Sequence, residues 1–252
     1  MILLRVLHLT DPHLFADKDG SLRGIVTHAS LSSVLEHYRN SDWLADIVAV
    51  TGDLVQDDSW EAYDHFRALL AELDLPVYCV PGNHDDLPLM RDALSEPPFF
   101  YCDYTERDNW LIIGLNSYVS DQAEGSVSND ELERLDQTVA GSDAQHVMVC
   151  LHHPPIDMGS TWLDSVGLIN GDDVLNRLAA SGKVRLAIFG HVHQAYDAEH
   201  EGIRVITTPS TCRQFAMDSD EFAVDDNPPA YRRIELHDDG EHSNELIWVG
   251  HA

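Results

Sequence analysis

Basic residues are scarce in this chain, and their scarcity excludes several classes of function. The 252 residues include only two lysines, Lys18 and Lys183, and 15 basic residues against 44 acidic ones, which gives a formal net charge of −29. Proteins that bind nucleic acid without sequence preference need basic residues to displace counterions from phosphates. The composition therefore argues against a nucleic-acid partner, and a solvated acidic surface, such as one adapted to a salty cytoplasm, explains it most simply.

Cysteines and long apolar segments are also few. The four cysteines, at positions 79, 102, 150 and 212, show no CxxC spacing, so we expect no disulfide framework or structural zinc site and predict a cytoplasmic location. No apolar run approaches the roughly 20 residues that span a bilayer, so we expect no membrane partner. The opening segment 1–9 is interrupted by Arg5 and His8 and lacks a cleavage region, which favours a first strand over a signal peptide.

No linker rich in glycine, serine or proline divides the chain. Its length suits one large domain, which we predict to span residues 1–252. The stretch 217–229 is acidic and has no helical or strand period, so we expect a mobile loop there without a catalytic role. The sequence leaves the choice between a monomer and a homodimer open.

Short segments rich in valine, isoleucine and leucine have the composition of strands buried on both faces. They are residues 3–10, 46–51, 76–80, 110–116, 146–151 and 185–189. Segments with helical spacing lie between them, at 30–39, 59–73, 87–94, 129–140 and 172–180. This alternation predicts an α/β fold. After position 203, strand follows strand, at 203–208, 231–236 and 245–249, which predicts antiparallel pairings in the second half.

Five polar motifs follow directly after predicted strands and carry most of the functional information. They are Asp11-Pro12-His13, Gly52-Asp53, Gly82-Asn83-His84-Asp85, His152-His153 and Gly190-His191-Val192-His193. Each motif alone has a structural explanation as a turn or a helix cap, although four histidines in two strand-end pairs make that explanation poor. Open α/β sheets bind ligands at the carboxyl ends of their strands, and these side chains could hold two metal ions there.

In this order the motifs resemble those of the calcineurin-like metallophosphoesterases, which read D-x-H, G-D, G-N-H-D, H and G-H-x-H. The resemblance covers roughly residues 3–210. It implies a four-layer α/β/β/α sandwich, in which helices flank two mixed sheets and a dinuclear metal site lies at the strand ends.

Further segments are similar to the bacterial class III 3′,5′-cyclic-AMP phosphodiesterases, the Icc or CpdA type. They are His-Leu-Thr-Asp-Pro-His-Leu-Phe at 8–15, Ser-Thr-Trp-Leu-Asp at 160–164, Thr-Pro-Ser-Thr-Cys-Arg-Gln-Phe at 208–215 and the strand at 231–236. This similarity implies hydrolysis of 3′,5′-cyclic AMP to 5′-AMP by a metal-bridging hydroxide that attacks phosphorus and breaks the P–O3′ bond.

The resemblance also implies the metal ligands. It assigns Asp11, His13 and His193 to the first metal, Asn83, His152 and His191 to the second, and Asp53 to a bridge between both. His152 is preferred over His153 only by its spacing from the strand, and His153 would then support the site or face the substrate. Imidazole, carboxylate and amide donors suit iron, manganese or zinc, among which the sequence does not choose.

Several residues are candidates for direct roles with the substrate. His84, beside Asn83, is expected to stabilise the phosphoryl group or protonate the 3′ leaving oxygen, and Asp85 is expected to orient it by a hydrogen bond. Asn83, His84 and His191 are the expected substrate contacts. Arg213 could contact phosphate or be solvated, and Trp162 could stack on adenine or anchor its loop.

Two rival functions remain open from the sequence. The same fold could act on another phosphodiester, such as a 2′,3′-cyclic nucleotide, a glycerophosphodiester or a dinucleotide. The chain could also be an inactive binding scaffold, but all seven assigned ligands and His84 are present, which disfavours that role.

Overall fold

The fold is known from a computed structural model that describes residues 3–250, so Met1 and Ile2 of the predicted first strand lie outside the described residues. The strands are β1 (Leu3–Leu9), β2 (Ser21–Leu22), β3 (Ile25–Val26), β4 (Ile47–Thr51), β5 (Val77–Val80), β6 (Phe99–Tyr101), β7 (Tyr104–Arg107), β8 (Trp110–Gly114), β9 (His146–Cys150), β10 (Val184–Phe189), β11 (Tyr196–His200), β12 (Ile203–Thr207), β13 (Gln214–Phe215), β14 (Val224–Asp225), β15 (Ala230–His237) and β16 (His242–Trp248). The helices are α1 (Thr27–Arg39), α2 (Trp60–Ala71), α3 (Leu87–Ala93), α4 (Asn129–Gly141), α5 (Thr161–Asp164) and α6 (Gly171–Ala180).

Two six-stranded mixed sheets form the centre of the molecule. The first sheet has the strand order β16-β15-β1-β4-β5-β6, and the second has the order β11-β12-β10-β9-β8-β7. Strands β1, β4, β5 and β6 are parallel, as are β8, β9, β10 and β12. Because parallel neighbours end at the same edge, the loops after these strands lie together within each sheet.

Three apolar clusters show how the layers pack. One cluster packs the first sheet against α1, α2 and α3, and a second packs the other sheet against α4 and α6. The third lies between the sheets and joins residues such as Val6 and Ile47 of the first sheet to Ile112 and Ile188 of the second. This arrangement is the four-layer α/β/β/α sandwich, and it confirms the predicted fold class.

Local sequence explains the helices that flank the first sheet. Helix α2 begins after Ser59, whose hydroxyl accepts a hydrogen bond from the Ala62 amide, as an N-cap does. Its buried residues Tyr63, Phe66 and Leu70 recur at intervals of three and four, so they form one apolar face against the sheet.

The predicted strands and helices are all present, and the antiparallel pairing of β15 with β1 and β16 confirms the pattern expected for the second half. Strand β12 differs, because it pairs parallel with β10 and antiparallel only with β11. The sequence pattern missed the two-residue strands, the edge strands β6, β7 and β11, and the one-turn helix α5. These elements are too short or too polar to show a period.

The acidic stretch 217–229 is more ordered than predicted. Strand β14 lies within it and pairs with β13, and the Ala216 amide donates to the Ala223 carbonyl, so the segment forms a short hairpin. The four cysteines are unpaired thiols. Among residues 3–250, no helix has the length and hydropathy needed to cross a membrane.

Candidate metal centre

The five polar motifs meet at one end of the sandwich, where β1, β4 and β5 of one sheet and β9 and β10 of the other finish. Five of the seven predicted ligands adopt the left-handed backbone conformation, with φ between 47° and 69°: Asp11, His13, Asp53, His191 and His193. That conformation is uncommon for residues other than glycine and costs about 1–3 kcal/mol at each position. Such strain concentrated in one place is typical of a functional site.

Two motif glycines are required by close approach of the loops. A Cβ atom at Gly82 would collide with the carboxylate of Asp53, and one at Gly190 would collide with the hydroxyl of Thr10. The glycines therefore let the loops after β5 and β10 pack directly against those after β4 and β1.

The first group of predicted ligands consists of Asp11, His13 and His193. The Nε2 atom of His193 lies 3.3 Å from Oδ1 of Asp11 and 3.1 Å from Nε2 of His13. The Nδ1 atom of His193 donates to the Arg213 carbonyl at 2.6 Å, which turns Nε2 toward the carboxylate. Burial opposes a charge on His193, but Asp11 and the carbonyl raise its pKa, so this position attracts a positive charge.

The second group consists of Asn83, His152 and His191. Oδ1 of Asn83 lies 3.2 Å from Nε2 of His152 and 3.0 Å from Nδ1 of His191, and the two ring nitrogens are 3.2 Å apart. The Nδ1 atom of His152 donates to the Thr51 carbonyl at 2.7 Å. Because a neutral imidazole has one N–H, Nε2 of His152 is unprotonated and faces another acceptor, the Asn83 oxygen.

Asp53 lies between the two groups. Its Oδ2 atom is 3.5 Å from Nε2 of His13 and 3.5 Å from Nε2 of His152. Its other oxygen, Oδ1, accepts a hydrogen bond from the His84 amide at 2.9 Å. One carboxylate oxygen thus faces both groups, while the other holds the loop after β5.

The ionisation of the centre suits cation binding. Burial lowers the pKa of both His13 and His191 to about 3, so their imidazoles are neutral and can donate lone pairs. Burial alone would raise the pKa of Asp11 and Asp53, but the adjoining imidazoles lower both below the usual value. Anionic carboxylates beside the neutral imidazoles of His13 and His191, with His193 at a position that attracts positive charge, fit a metal centre.

The structure separates the roles of the two adjacent histidines. Nε2 of His153 donates to the Ala123 carbonyl at 3.1 Å, and its Nδ1 accepts from the Ser117 hydroxyl at 2.8 Å. Both ring nitrogens of His153 are therefore occupied, whereas His152 directs a free lone pair at Asn83 and Asp53. Burial lowers the pKa of His153 well below its usual value, which keeps the ring neutral.

His84 is exposed and lies at the edge of the centre. Its ring meets the His13 ring edge-on at a centroid distance of 5.1 Å, and its Nδ1 accepts from the side-chain amide of Gln56 at 3.0 Å. With Nδ1 occupied, neutral His84 carries its hydrogen on Nε2, where it can donate a hydrogen bond. Gln56 was missed by the sequence analysis because it lies 28 positions from His84.

The prediction that Asp85 orients His84 is wrong. The buried Asp85 carboxylate accepts from the Gly82 amide at 2.9 Å, the Leu54 amide at 3.1 Å and the Tyr63 hydroxyl at 3.1 Å. Burial, reinforced by the charge of Asp53, raises the pKa of Asp85 to about 7. Asp85 therefore ties together the loops after β4 and β5, and Gln56 takes the place at His84.

Comparison with known proteins agrees with this geometry. The sequence model for the calcineurin-like phosphoesterases matches residues 4–195. The chain belongs to the calcineurin-like phosphoesterase family. It is 35% identical over 250 residues to the 3′,5′-cyclic adenosine monophosphate phosphodiesterase CpdA of Haemophilus influenzae, an alignment that covers 99% of this chain and 91% of the relative. CpdA of Pseudomonas aeruginosa is 34% identical, with 93% of this chain and 86% of the relative covered.

Solved structures of the calcineurin-like fold superimpose on nearly the whole chain. A dimetal phosphatase from Danio rerio matches with a TM-score of 0.65 at 16% identity, covering 98% of this chain and 99% of that one. The protein TT1561 of Thermus thermophilus matches with a TM-score of 0.62 at 16% identity, covering 99% and 100% of the two chains. At this identity the likeness concerns the fold.

A cavity of about 260 Å³ opens above the centre of this calcineurin-like phosphoesterase. Its floor includes His13, Asp53, Asn83, His84 and His191. Its other side is largely apolar and is formed by Leu22, Trp162, Leu163, Val166 and Phe215, with Arg23 beside them. The cavity thus combines a polar floor with an apolar wall.

Aromatic contacts hold the wall of the cavity. Trp162, on α5, meets the rings of Phe215 and Phe222 edge-on, with a centroid distance of 5.2 Å in each case. Phe215 stacks on His193 at 4.2 Å. The guanidinium of Arg23, from the β2–β3 hairpin, lies 4.7 Å from the centre of the Phe222 ring. No role for Arg23 or Phe215 follows from the sequence, since nothing in their local pattern links them to the strand ends.

Arg213 is placed differently from Arg23. Its guanidinium pairs with Asp226 at 2.8 Å, and only its main-chain carbonyl reaches the centre, through His193. Arg213 therefore supports a ligand, and the phosphate contact considered from the sequence has no geometric support.

A larger cavity, of about 710 Å³, lies beside α6. It is lined by acidic side chains such as Asp157, Asp172 and Glu201, and the described residues around it include none of the predicted ligands. The larger of the two cavities is therefore not the one that contains the predicted metal ligands.

Proposed function

We propose that the chain hydrolyses 3′,5′-cyclic AMP to 5′-AMP with two transition-metal ions at the strand ends. The observation that carries the proposal is that Nε2 of His152, whose Nδ1 donates to the Thr51 carbonyl, faces Oδ1 of Asn83 at 3.2 Å, so that one acceptor meets another. Two acceptors that face each other at this distance, one of them on the fully buried His152, are unfavourable unless a cation lies between them. The similarity to the CpdA phosphodiesterases over more than nine tenths of the chain supports the substrate.

The proposed ligands follow the two groups. One ion would be held by Asp11, His13 and His193. The other would be held by Asn83, His152 and His191, and Asp53 would contact both ions. Imidazole, carboxylate and amide donors suit iron, manganese or zinc. Bound there, the two ions would supply Lewis acidity and lower the pKa of a water nucleophile.

The protein's own groups would bind and orient the cyclic phosphate. Asn83, His84 and His191 line the cavity floor, so all three are placed to contact phosphate oxygens. His84 presents an N–H at Nε2, because Gln56 occupies Nδ1, and we assign it to the 3′ leaving oxygen as hydrogen-bond donor and, in its imidazolium form, as proton donor. The attack of a hydroxide then breaks the P–O3′ bond, and the proton from His84 goes to the 3′ oxygen.

The apolar wall is the proposed site for the base. Trp162 and Phe215 bring two aromatic rings to the lining of the cavity. Arg23 brings a positive charge to a protein of net charge −29, and an anionic substrate needs such local attraction. Trp162 thereby combines the two roles considered for it, since it both anchors α5 and faces the cavity.

The test is a substrate panel on protein stripped of metal and reloaded separately with manganese, iron and zinc. Cyclic AMP, cyclic GMP, 2′,3′-cyclic AMP and bis(p-nitrophenyl) phosphate are compared, with His84→Ala as the matched control. We expect cyclic AMP to be hydrolysed with at least one metal. If only the last two substrates turn over, the chain acts on another phosphodiester, and if nothing turns over with any metal, both assignments fail.

The cytoplasmic location and the oligomeric state stay predictions. Cell fractionation checks the first, and light scattering of the metal-loaded protein distinguishes a monomer from a homodimer.

A further inference from the structure

A continuous row of buried polar groups runs from Arg232, on β15, to the carboxylate of Asp11. Nε of Arg232 donates to the Thr208 hydroxyl at 3.3 Å, and that hydroxyl lies 2.8 Å from Nδ1 of His8. Nε2 of His8 lies 2.8 Å from the hydroxyl of Thr51.

The row continues through two threonines to the metal centre. The Thr51 hydroxyl donates to the Thr10 hydroxyl at 2.8 Å, and the Thr10 hydroxyl donates to Oδ2 of Asp11 at 2.6 Å. The relay, as we call Arg232, Thr208, His8, Thr51 and Thr10, joins β15, β1, β4 and the loop after β12.

Only one arrangement of hydrogens makes all five bonds of the relay. The Asp11 carboxylate can only accept, so Thr10 donates to it, and Thr51 must then donate to Thr10. His8 therefore donates from Nε2 to Thr51, which leaves its Nδ1 to accept from Thr208. The Arg232 guanidinium can only donate, and it completes the row.

The relay is shielded from water. His8, Thr10, Thr51 and Thr208 are fully buried, and Arg232 is 4% exposed. Within residues 3–250, Arg232 forms no ion pair, and its remaining bonds go to the Thr207 carbonyl and the Asn244 side chain. A buried cation thus stands at one end of the relay and a carboxylate at the other, so every dipole between them is aligned.

The relay decides which oxygen of Asp11 is free. Oδ2 is held by the Thr10 hydroxyl and also accepts from the His191 amide at 3.1 Å. Oδ1 shares the His191 amide, at 3.2 Å, but receives no hydroxyl, and it faces Nε2 of His193 at 3.3 Å. A carboxylate fixed in this way presents Oδ1 to the first group of ligands.

We propose that His8, Thr51 and Thr10 are positioning residues, which fix Asp11 for metal binding through the relay that begins at Arg232. The inference rests on the proposed metal centre. Groups that orient metal ligands from behind typically contribute roughly 10- to 100-fold in metal affinity. The relay also gives a role to His8, Thr10 and Thr208, which the motif segments contain but the ligand set does not use.

The test compares variants that cut the relay with variants that keep it. Thr51→Val removes the hydroxyl at nearly constant volume, and Thr51→Ser retains it. Thr27→Val is the matched control for losing a buried hydroxyl, because Thr27 is 1% exposed and its hydroxyl has no partner among the described residues. Affinity for Mn²⁺ is measured by chelator competition, and the melting temperature is measured on metal-free protein.

We expect Thr51→Val to weaken Mn²⁺ affinity at one or both of the two sites by about 10-fold or more. Thr51→Ser should retain most of the wild-type affinity, and Thr27→Val should leave the affinity unchanged. Equal affinities for Thr51→Val and wild type would overturn the proposal. So would a loss that Thr27→Val reproduces, since that loss would reflect general destabilisation.

A double-mutant cycle separates one relay from independent contacts. Thr208→Val cuts the row at its far side, and we expect the double variant with Thr51→Val to lose little more Mn²⁺ affinity than Thr51→Val alone. Additive losses would contradict a continuous relay. If wild-type protein binds no metal, the proposed centre and the relay both fail, whereas tight metal binding that no variant changes overturns the relay alone.

Discussion

The floor and the wall of the small cavity are built in different ways. The floor is built on the seven proposed ligands, which directly follow parallel strands: Asp11, His13, Asp53, Asn83, His152, His191 and His193. Nearly all are buried, and main-chain carbonyls fix the outer nitrogens of His152 and His193. The wall comes from the β2–β3 hairpin, the one-turn helix α5 and strand β13, and Phe222 of the acidic segment packs against it. Arg23 and Phe222 are exposed.

This difference separates reactivity from recognition. The floor is held by hydrogen bonds and backbone conformation, so small displacements there would disturb the chemistry. The wall is held by aromatic contacts between Trp162, Phe215 and Phe222 and by the short hairpin that β13 and β14 form. Substitutions in the wall should therefore alter substrate binding and leave metal content intact.

The largest loss of activity should follow a change at Asp53, the ligand that we propose is shared by both metals. We expect Asp53→Asn to lower turnover of cyclic AMP by about 10³-fold or more, because several kcal/mol of transition-state stabilisation depend on the metals. Metal analysis of the purified variant should show less than two equivalents. Wild-type turnover with both metals retained would show that Asp53 is not shared between them.

His84 lies where floor and cavity meet, so it should affect the rate without affecting metal content. We expect His84→Ala to lower kcat by about 10²-fold, the usual contribution of a general acid. Gln56→Ala, which frees Nδ1, should give a smaller loss. A His84→Ala enzyme with both metals and full turnover would exclude the assigned role.

The wall should affect mainly the Michaelis constant. We expect Trp162→Ala to raise KM for cyclic AMP about 10-fold, since stacking of a base on an aromatic ring contributes about 1–3 kcal/mol. Hydrolysis of p-nitrophenyl methyl phosphate, which has no purine, should change much less. The control is Trp60→Ala, which removes a 40% exposed tryptophan on α2. Equal effects of Trp162→Ala on both substrates would refute a base site.

Burial behind the floor should also make the metal-free protein sensitive to acid. Burial, aided by Arg232, lowers the pKa of His8 to about 3, whereas an unfolded histidine titrates near 6.5. Between these values the unfolded chain binds the extra proton. The contribution of neutral His8 to the free energy of unfolding is therefore fully present above about pH 6.5. It falls by about 1.4 kcal/mol per pH unit as the pH decreases toward 3.

The variant His8→Gln cannot take up that proton. Urea unfolding of the metal-free proteins from about pH 7 to about pH 5 should show a shallower pH dependence for His8→Gln than for wild type. Identical slopes would mean that His8 does not remain neutral in the folded state.

The same contrast explains how much the sequence could predict. The floor was predictable because every ligand follows an apolar strand, so local patterns alone place Asp11, Asp53 and Asn83 at one sheet edge. The choice of His152 over His153 does not follow from local patterns, because it depends on contacts with Thr51 and Ser117 far away in the chain.

The wall was not predictable from local patterns. Arg23 and Phe222 are about 200 positions apart, and each lies in a segment without a helical or strand period. The error over Asp85 has a related cause. Neighbours in sequence can point in opposite directions in a turn, so His84 faces the cavity while Asp85 faces the core.

The central claim is that one carboxylate, Asp53, joins two metal ions in the floor. Electron paramagnetic resonance of protein loaded with two equivalents of Mn²⁺ tests it most directly, because bridged ions couple magnetically and separate ions do not. We predict the spectrum of a coupled pair for wild type and its loss in Asp53→Asn. A wild-type spectrum of isolated Mn²⁺ ions at full loading would contradict the account.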